Sequence, residues 1–210
     1  MSQLGFYIDT SACSGCKTCQ VACKDKNNLS EGIRWRRVYE ISGGDWEQKP
    51  EGGWKPNIST YNLSISCNHC EDPSCVKACP TKALEKNAEN GIVFINPEKC
   101  VGCRYCEWAC PYGALQFDHD SGLMTKCDFC IDYLEIGKPP ACVASCPMRA
   151  LDFGELSELR KKHGDLSQVY PIPNPKITKP ALVIKPHPES LTAESNKAII
   201  ANVEEVKNDY

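Results

Sequence analysis

Residues 100–111 read Cys100-Val101-Gly102-Cys103-Arg104-Tyr105-Cys106-Glu107-Trp108-Ala109-Cys110-Pro111. This is the C-x2-C-x2-C-x3-C-P spacing by which proteins hold [4Fe–4S] clusters. Three thiolates converge from one tight loop onto three irons of a cube, and Gly102 lets the backbone curl close to the inorganic sulfides. Pro111 fixes its own φ and suits the first turn of a helix, so Cys110 is carried away to ligate a second cluster. One such run therefore implies two clusters.

The other cysteines obey the same arithmetic. The chain has 16 in 210 residues, and they sort without remainder into four groups of four. These are Cys13, Cys16, Cys19, Cys23; Cys67, Cys70, Cys75, Cys79; Cys100, Cys103, Cys106, Cys110; and Cys127, Cys130, Cys142, Cys146. A secreted disulfide scaffold is the first competing reading, but residues 1–9 lack the basic region and apolar run of a signal peptide. Zinc is the second, since two C-x2-C pairs make a four-thiolate site. Zinc knuckles, however, usually give two ligands each, not three from one loop with Pro after the fourth. Four [4Fe–4S] clusters are the expected cofactors, and all sixteen thiols are taken up in holding them.

Charge points the same way. Lys and Arg number 24 against 27 Asp and Glu, a formal net charge of -3, and four oxidised cubes would add about −8. Lys17, Lys24, Lys77, Arg104, Lys126 and Arg149 lie in or beside the motifs and can offset that charge. No basic tract beyond Arg34-Trp35-Arg36-Arg37 suggests nucleic acid, and no stretch approaches the length of a membrane span.

Taken along the chain, 5–9 and 60–66 read as strands, the second with Tyr61, Leu63 and Ile65 on one face, and 91–96 as a third. Cys-Pro-x-x-Ala-Leu recurs at 79–84, 110–115 and 146–151 and predicts a short helix each time. Lys24 stands where the other groups have Pro. The segment with Trp35, Trp46 and Trp54 reads as packing on its own domain. His69, between two ligands, is expected to point outward. Leu156–His163 reads as a helix with Leu156 and Leu159 inward. The proline-rich tail beyond Tyr170 reads as an extended arm whose apolar centre, 181–184, would be ordered against a partner. The expected architecture is α+β: two ferredoxin-like two-cluster modules in tandem with an extended C-terminal arm. Its parts are a first segment (4–33), a Trp/Gly insert (34–57), a second segment (58–89), a third (90–119), the fourth cysteine group with its helix (120–165) and the tail (166–210).

A two-cluster module exchanges its fourth ligands. The second and third groups, adjacent in sequence, should then form one module: Cys67, Cys70, Cys75 with Cys110, and Cys79 with Cys100, Cys103, Cys106. By elimination the outer groups pair, Cys13, Cys16, Cys19 with Cys146, and Cys23 with Cys127, Cys130, Cys142. No residue is expected to be catalytic.

Several stretches also resemble the iron–sulfur subunits of anaerobic dimethyl sulfoxide reductase. They include Cys13-Ser-Gly-Cys-Lys-Thr-Cys19, Gly43-Gly-Asp-Trp46, Leu63-Ser-Ile-Ser-Cys-Asn-His-Cys-Glu-Asp-Pro73, Met124-Thr-Lys-Cys-Asp128 and Leu159-Arg-Lys-Lys-His-Gly-Asp-Leu166. The resemblance implies a non-catalytic electron-transfer subunit of a heterotrimer. An integral membrane anchor that oxidises menaquinol and a catalytic subunit carrying molybdopterin are its implied partners, with the middle module towards the anchor and the outer one towards the catalytic subunit. It implies residence at the inner membrane through those partners, on the periplasmic face after co-export, with the cytoplasmic face as the alternative. Some relatives hold a [3Fe–4S] centre where Trp replaces a third-group cysteine; Cys103 here implies four cubes. The same framework serves relays of other molybdenum oxidoreductases, acting on tetrathionate, polysulfide, nitrate or formate.

Overall fold

The computed structural model describes residues 2–191 and 197–207. Strand β1 (Leu4–Asp9) leads through the first cysteine loop into α1 (Thr18–Lys26). Next come β2 (Arg37–Gly43), β3 (Trp46–Gln48), β4 (Trp54–Pro56) and β5 (Ser59–Ile65). The second cysteine group flanks α2 (Ser74–Lys77), followed by β6 (Leu84–Lys86) and β7 (Val93–Ile95). The third flanks α3 (Tyr105–Ala109), followed by β8 (Gln116–Asp118) and β9 (Leu123–Thr125). After α4 (Ile131–Glu135) and α5 (Ala141–Ala144) come β10 (Leu151–Glu155) and α6 (Leu156–His163). The tail supplies β11 (Leu182–Lys185), β12 (Ile199–Ile200) and α7 (Val203–Val206).

Two three-stranded sheets organise these pieces, in the orders β10-β1-β11 and β12-β2-β5. Strand β1 is antiparallel to β10 and parallel to β11, so both of its edges are paired. Both faces are covered as well: Phe6 and Ile8 enter the large core, while Tyr7 packs with Leu156, Leu159, Ala181 and Val183 under α6. That two-sided burial accounts for the successive apolar residues Phe6, Tyr7 and Ile8 of β1. On β5, Tyr61, Leu63 and Ile65 are all buried, and Ser59–Ile65 pair with the whole of β2. The β6–β7 and β8–β9 hairpins pack with α2 and α3 in a second, smaller core.

The tail departs from the sequence reading. The 181–184 stretch is ordered by the protein's own β1, not by a partner, and β12 and α7 dock against β2. Pairing with β1 satisfies the backbone groups of a segment too short to stand alone. Residues 192–196 and 208–210 of the predicted arm lie outside the described residues.

Three further expectations change. His69 is fully buried rather than outward; its Nδ1 accepts the Val93 N–H at 3.1 Å and its ring meets Phe129 edge-on. The Trp-bearing segment divides. Trp35 packs against the core and donates to Thr125 Oγ1, whereas Trp46 and Trp54 lie exposed on the β3–β4 hairpin. Finally, Cys-Pro-x-x-Ala-Leu is not helical. Its fourth residue, Lys82, Gly113 or Arg149, has positive φ, a conformation that ends any helix, and the chain passes from a turn to β6, β8 or β10.

Candidate functional site

Four loops of like conformation present the leading thiols. In the leading C-x2-C spacer of each group the second residue is left-handed: Gly15 (φ 72°), His69 (42°), Gly102 (64°) and Phe129 (67°). This turns the chain so that both thiols face one side. Glycine adopts the conformation freely, and at Gly102 it is also required for space, because a Cβ would sit 2.3 Å from the Gly122 carbonyl oxygen. At His69 and Phe129 core packing holds the strained form, each side chain being fully buried.

Short helices then distribute the remaining thiols. Cys19 and Cys23 lie one turn apart on α1, and Cys142 and Cys146 are likewise spaced on and just beyond α5, which packs against α1. Cys75 and Cys79 on and after α2, and Cys106 and Cys110 on and after α3, repeat the arrangement. Residues four apart share a helix face, so each helix can serve two adjacent sites.

The resulting juxtapositions are these. Cys13, Cys16, Cys19 and Cys146 line one cavity, with Ser64 and Met148 at its wall. Cys67, Cys70, Cys75 and Cys110 line another, joined by Thr178 from the tail. Cys106 lies within electrostatic reach of Cys79, Cys100 and Cys103. Cys23 lies within reach of Cys142 and Cys130, and Cys127 of Cys23 and Cys142. We refer to the four as the Cys13, Cys67, Cys79 and Cys23 sets. Cys19 also feels Cys142, and Cys127 feels Cys67, so the sets follow one another in the order Cys13, Cys23, Cys67, Cys79.

The chemistry of these donors suits a multivalent, cationic core. All sixteen cysteines are free thiols and only Cys16 is fully exposed. Burial, then neighbouring thiols, pushes Cys23, Cys70 and Cys106 up to about 12, and the same causes push Cys127 well up. Such thiols become thiolates together when positive metal lies between them. Among the described residues, no three Cys, His, Asp or Glu side chains converge on a single-ion position.

Hydrogen bonds to sulfur recur with the repeat. The Ala83 N–H donates to Cys79 Sγ at 3.2 Å and the Ala150 N–H to Cys146 Sγ at 3.3 Å. Ala114 makes the equivalent bond to Cys110. Where Lys24 replaces Pro, α1 continues past Cys23, the Asn27 N–H is used within the helix, and the Asn27 side-chain amide reaches Cys23 Sγ at 3.6 Å instead. At the Ala of the repeat the backbone amide thus donates to sulfur while the small side chain is buried.

The basic residues singled out from sequence part company. Lys17 pairs with Glu40 and Glu205, Lys77 with Asp72, and Arg104 with Glu107. Lys24 donates to the Leu29 and Ser30 carbonyls, Arg149 to that of Ala144, and buried Lys126 to those of Val93 and Cys127. Two residues that sequence reasoning missed are Thr178, which no motif marks, and Arg36. The latter's signal was its place in a basic run opening a strand.

The 4Fe-4S dicluster domain family matches residues 58–156. Across 98% of its length the protein is 53% identical to the B chain of anaerobic dimethyl sulfoxide reductase from Escherichia coli (strain K12), covering 99% of that protein. It is 48% identical to the corresponding B chain from Haemophilus influenzae, over 98% of this sequence and 100% of that one. It is also 37% identical to the B subunit of sulfite dehydrogenase from Allochromatium vinosum, over 75% of this sequence and 71% of the other.

Proposed function

The protein belongs to the family of anaerobic dimethyl sulfoxide reductase B chains, and from that premise we propose that its four thiol sets hold four [4Fe–4S] clusters in a single file. The observation that carries this is the succession of sets: Cys19 beside Cys142, Cys127 beside Cys67, and α2 against α3. The protein is an electron-transfer subunit, not a catalytic one. Bound clusters supply one-electron carriers whose potentials span roughly −700 to +450 mV according to hydrogen bonding, charge and exposure.

The protein's own residues do three things. Cysteines would bind, as Cys13, Cys16, Cys19, Cys146; Cys23, Cys127, Cys130, Cys142; Cys67, Cys70, Cys75, Cys110; and Cys79, Cys100, Cys103, Cys106. The Ala83, Ala114 and Ala150 amides orient sulfur lone pairs and stabilise added negative charge. Phe6, Phe129 and Phe153, in ring contact along the interior, exclude water between the modules. In this reading residues 58–119 form the middle module, and 4–33 with 120–165 the outer one.

The partners we assign are a molybdopterin-containing catalytic subunit that reduces dimethyl sulfoxide and related oxides, and a menaquinol-oxidising membrane anchor. No helix among the described residues is long and apolar enough to cross a membrane, so attachment through an anchor suits the protein. Both ends of the file carry exposed apolar side chains: Met148 and Val21 by the Cys13 set, and Val101, Tyr105 and Trp108 by the Cys79 set. We assign the first rim to the catalytic partner, the second to the anchor, and the complex to the periplasmic face. Similarity to a sulfite dehydrogenase subunit favours, as a second reading, the equivalent relay of another molybdenum oxidoreductase.

The deciding experiment is iron and acid-labile sulfide content of anaerobically purified protein, with identification of the chains that copurify. About sixteen irons per molecule and a sulfoxide-reducing partner are expected. Zinc without sulfide would overturn the cluster assignment, and a different catalytic partner would move the reading to the second relay.

A further inference from the structure

Arg36 is the largest side chain that the fold buries completely, at 1% exposure. A guanidinium does not shed its proton, so its charge enters the interior with it. Its hydrogen bonds go only to neutral groups. Nη1 donates to the Ser64 carbonyl (3.3 Å) and hydroxyl (3.2 Å), and Nη2 to the Ser66 hydroxyl (3.0 Å). The Phe6 ring lies 4.9 Å away, and Nε is buried without a hydrogen-bond partner. Among the described residues no carboxylate forms an ion pair with Arg36, whereas Lys17, Lys77 and Arg104 each have one.

Its counter-charge comes from sulfur. Cys19 of the Cys13 set lies within electrostatic reach, as do Cys142, Cys127 and Cys23 of the Cys23 set. The link to Cys19 is also structural: the Ser64 hydroxyl that accepts from Arg36 stands 3.2 Å from Cys19 Sγ. That hydroxyl accepts from the guanidinium and can give its own proton to a hydrogen bond with a thiolate.

We propose that Arg36 is a positioning residue shared by the two outer sites, a fixed buried cation that raises the reduction potentials of both by more than those of the two middle sites. The reason is electrostatic. Each reduction adds a negative charge, and a permanent positive charge in a water-poor interior favours the reduced form of whatever lies beside it. The idea rests on reading the Cys13 and Cys23 sets as cluster ligands.

Potentiometric titration of the four clusters by EPR, in membranes holding the intact complex, tests it with Arg36→Gln and Arg36→Lys. Arg36→Gln is expected to shift the two outer potentials downward together and by more than either middle one. Outer potentials that do not move, or four that move alike, overturn the proposal. Should Arg36→Gln fail to assemble, Arg36→Lys decides. Four clusters with outer potentials close to those of the unmodified protein support a role for the charge; loss of clusters in that variant too makes Arg36 a packing residue and overturns it. A wild-type protein without four clusters instead defeats the underlying reading, so the two failures are distinguishable.

Discussion

At the scale of single residues, the exchange of fourth ligands makes a sharp demand. Cys110→Ser should remove the centre of the Cys67 set and spare that of Cys100, Cys103 and Cys106, its own sequence neighbours. EPR of the reduced protein, with a loss of about four irons per molecule, checks this; loss of the Cys79-set signal instead would show that ligands stay within their groups. Backbone conformation sets a second test. Gly102→Ala forces a Cβ against the Gly122 carbonyl in a left-handed position, costing about 3 kcal/mol from strain and overpacking together. Gly122→Ala meets nothing within 4 Å and should cost only about 1 kcal/mol, a contrast that denaturant unfolding can read. The sequence spacing marked the four groups of thiols, because iron–sulfur geometry restricts spacing tightly. It did not show that His69 and Phe129 adopt the left-handed form that Gly15 and Gly102 adopt, since burial, a property of the whole fold, is what holds them there.

Asp9 illustrates how a residue without a metal role shapes a site. It ends β1, and its Oδ1 accepts the Ser11 and Ala12 N–H groups while Oδ2 meets Lys185 at 2.9 Å. Burial pushes the carboxyl up, but the Ser11 hydroxyl and the Lys185 ammonium outweigh it and leave Asp9 below its usual range. A depressed carboxylate contributes stability that is complete above the ordinary value near 3.8 and is lost as pH falls through the lower, folded one. Asp9→Ala should therefore be less stable by about 1 kcal/mol near neutrality, with the gap narrowing below about pH 4. Urea unfolding of both proteins at matched pH measures it, and a gap unchanged down to about pH 3 would remove the charge from the account.

Among the elements, β11 carries more than its four residues suggest. Leu182, Val183 and Ile184 are buried, the first and third in the large core and the second under α6. Ile184→Ala is expected to cost about 3 kcal/mol, seen as a lower melting temperature of the holoprotein, whereas the neighbouring exposed Lys185 should cost under about 1 kcal/mol when cut to Ala. A cost under about 1 kcal/mol at Ile184 would mean that the arm is not seated on β1. Strands β1 and β5 and helix α6 were readable from apolar patterning, which reports the faces an element buries. The partner of β11 was not, because a parallel pairing between residues 6–9 and 182–185 leaves no local trace. The Cys-Pro-x-x-Ala-Leu repeat was misread as helical for a related reason: proline suits a helix start, but the left-handed fourth residue turns the chain into a strand.

For the molecule as a whole, exposed apolar groups occur at both ends of the row of sets as well as on the β3–β4 hairpin. Trp108 is 72% exposed and stacks obliquely on Tyr105, beside the Cys79 set. An unburied Trp next to a redox site is a strong anchor for a partner. Trp108→Ala should weaken copurification with the proposed membrane anchor about 30-fold, the equivalent of ~2 kcal/mol, while leaving iron content unchanged; undiminished copurification would move that contact elsewhere on the surface.

The parallel pairing of β1 with β11 also dictates an order of biosynthesis. On the proposed assignment, every ligand of the two middle sites has been translated by residue 110, whereas the outer sites await residue 146 and the central strand stays open at one edge until residue 185 emerges. Contacts so distant in sequence form late. On the proposed pairing the Cys13–Cys19 loop is accordingly made early and filled late, and metal delivery to it must wait for Cys146.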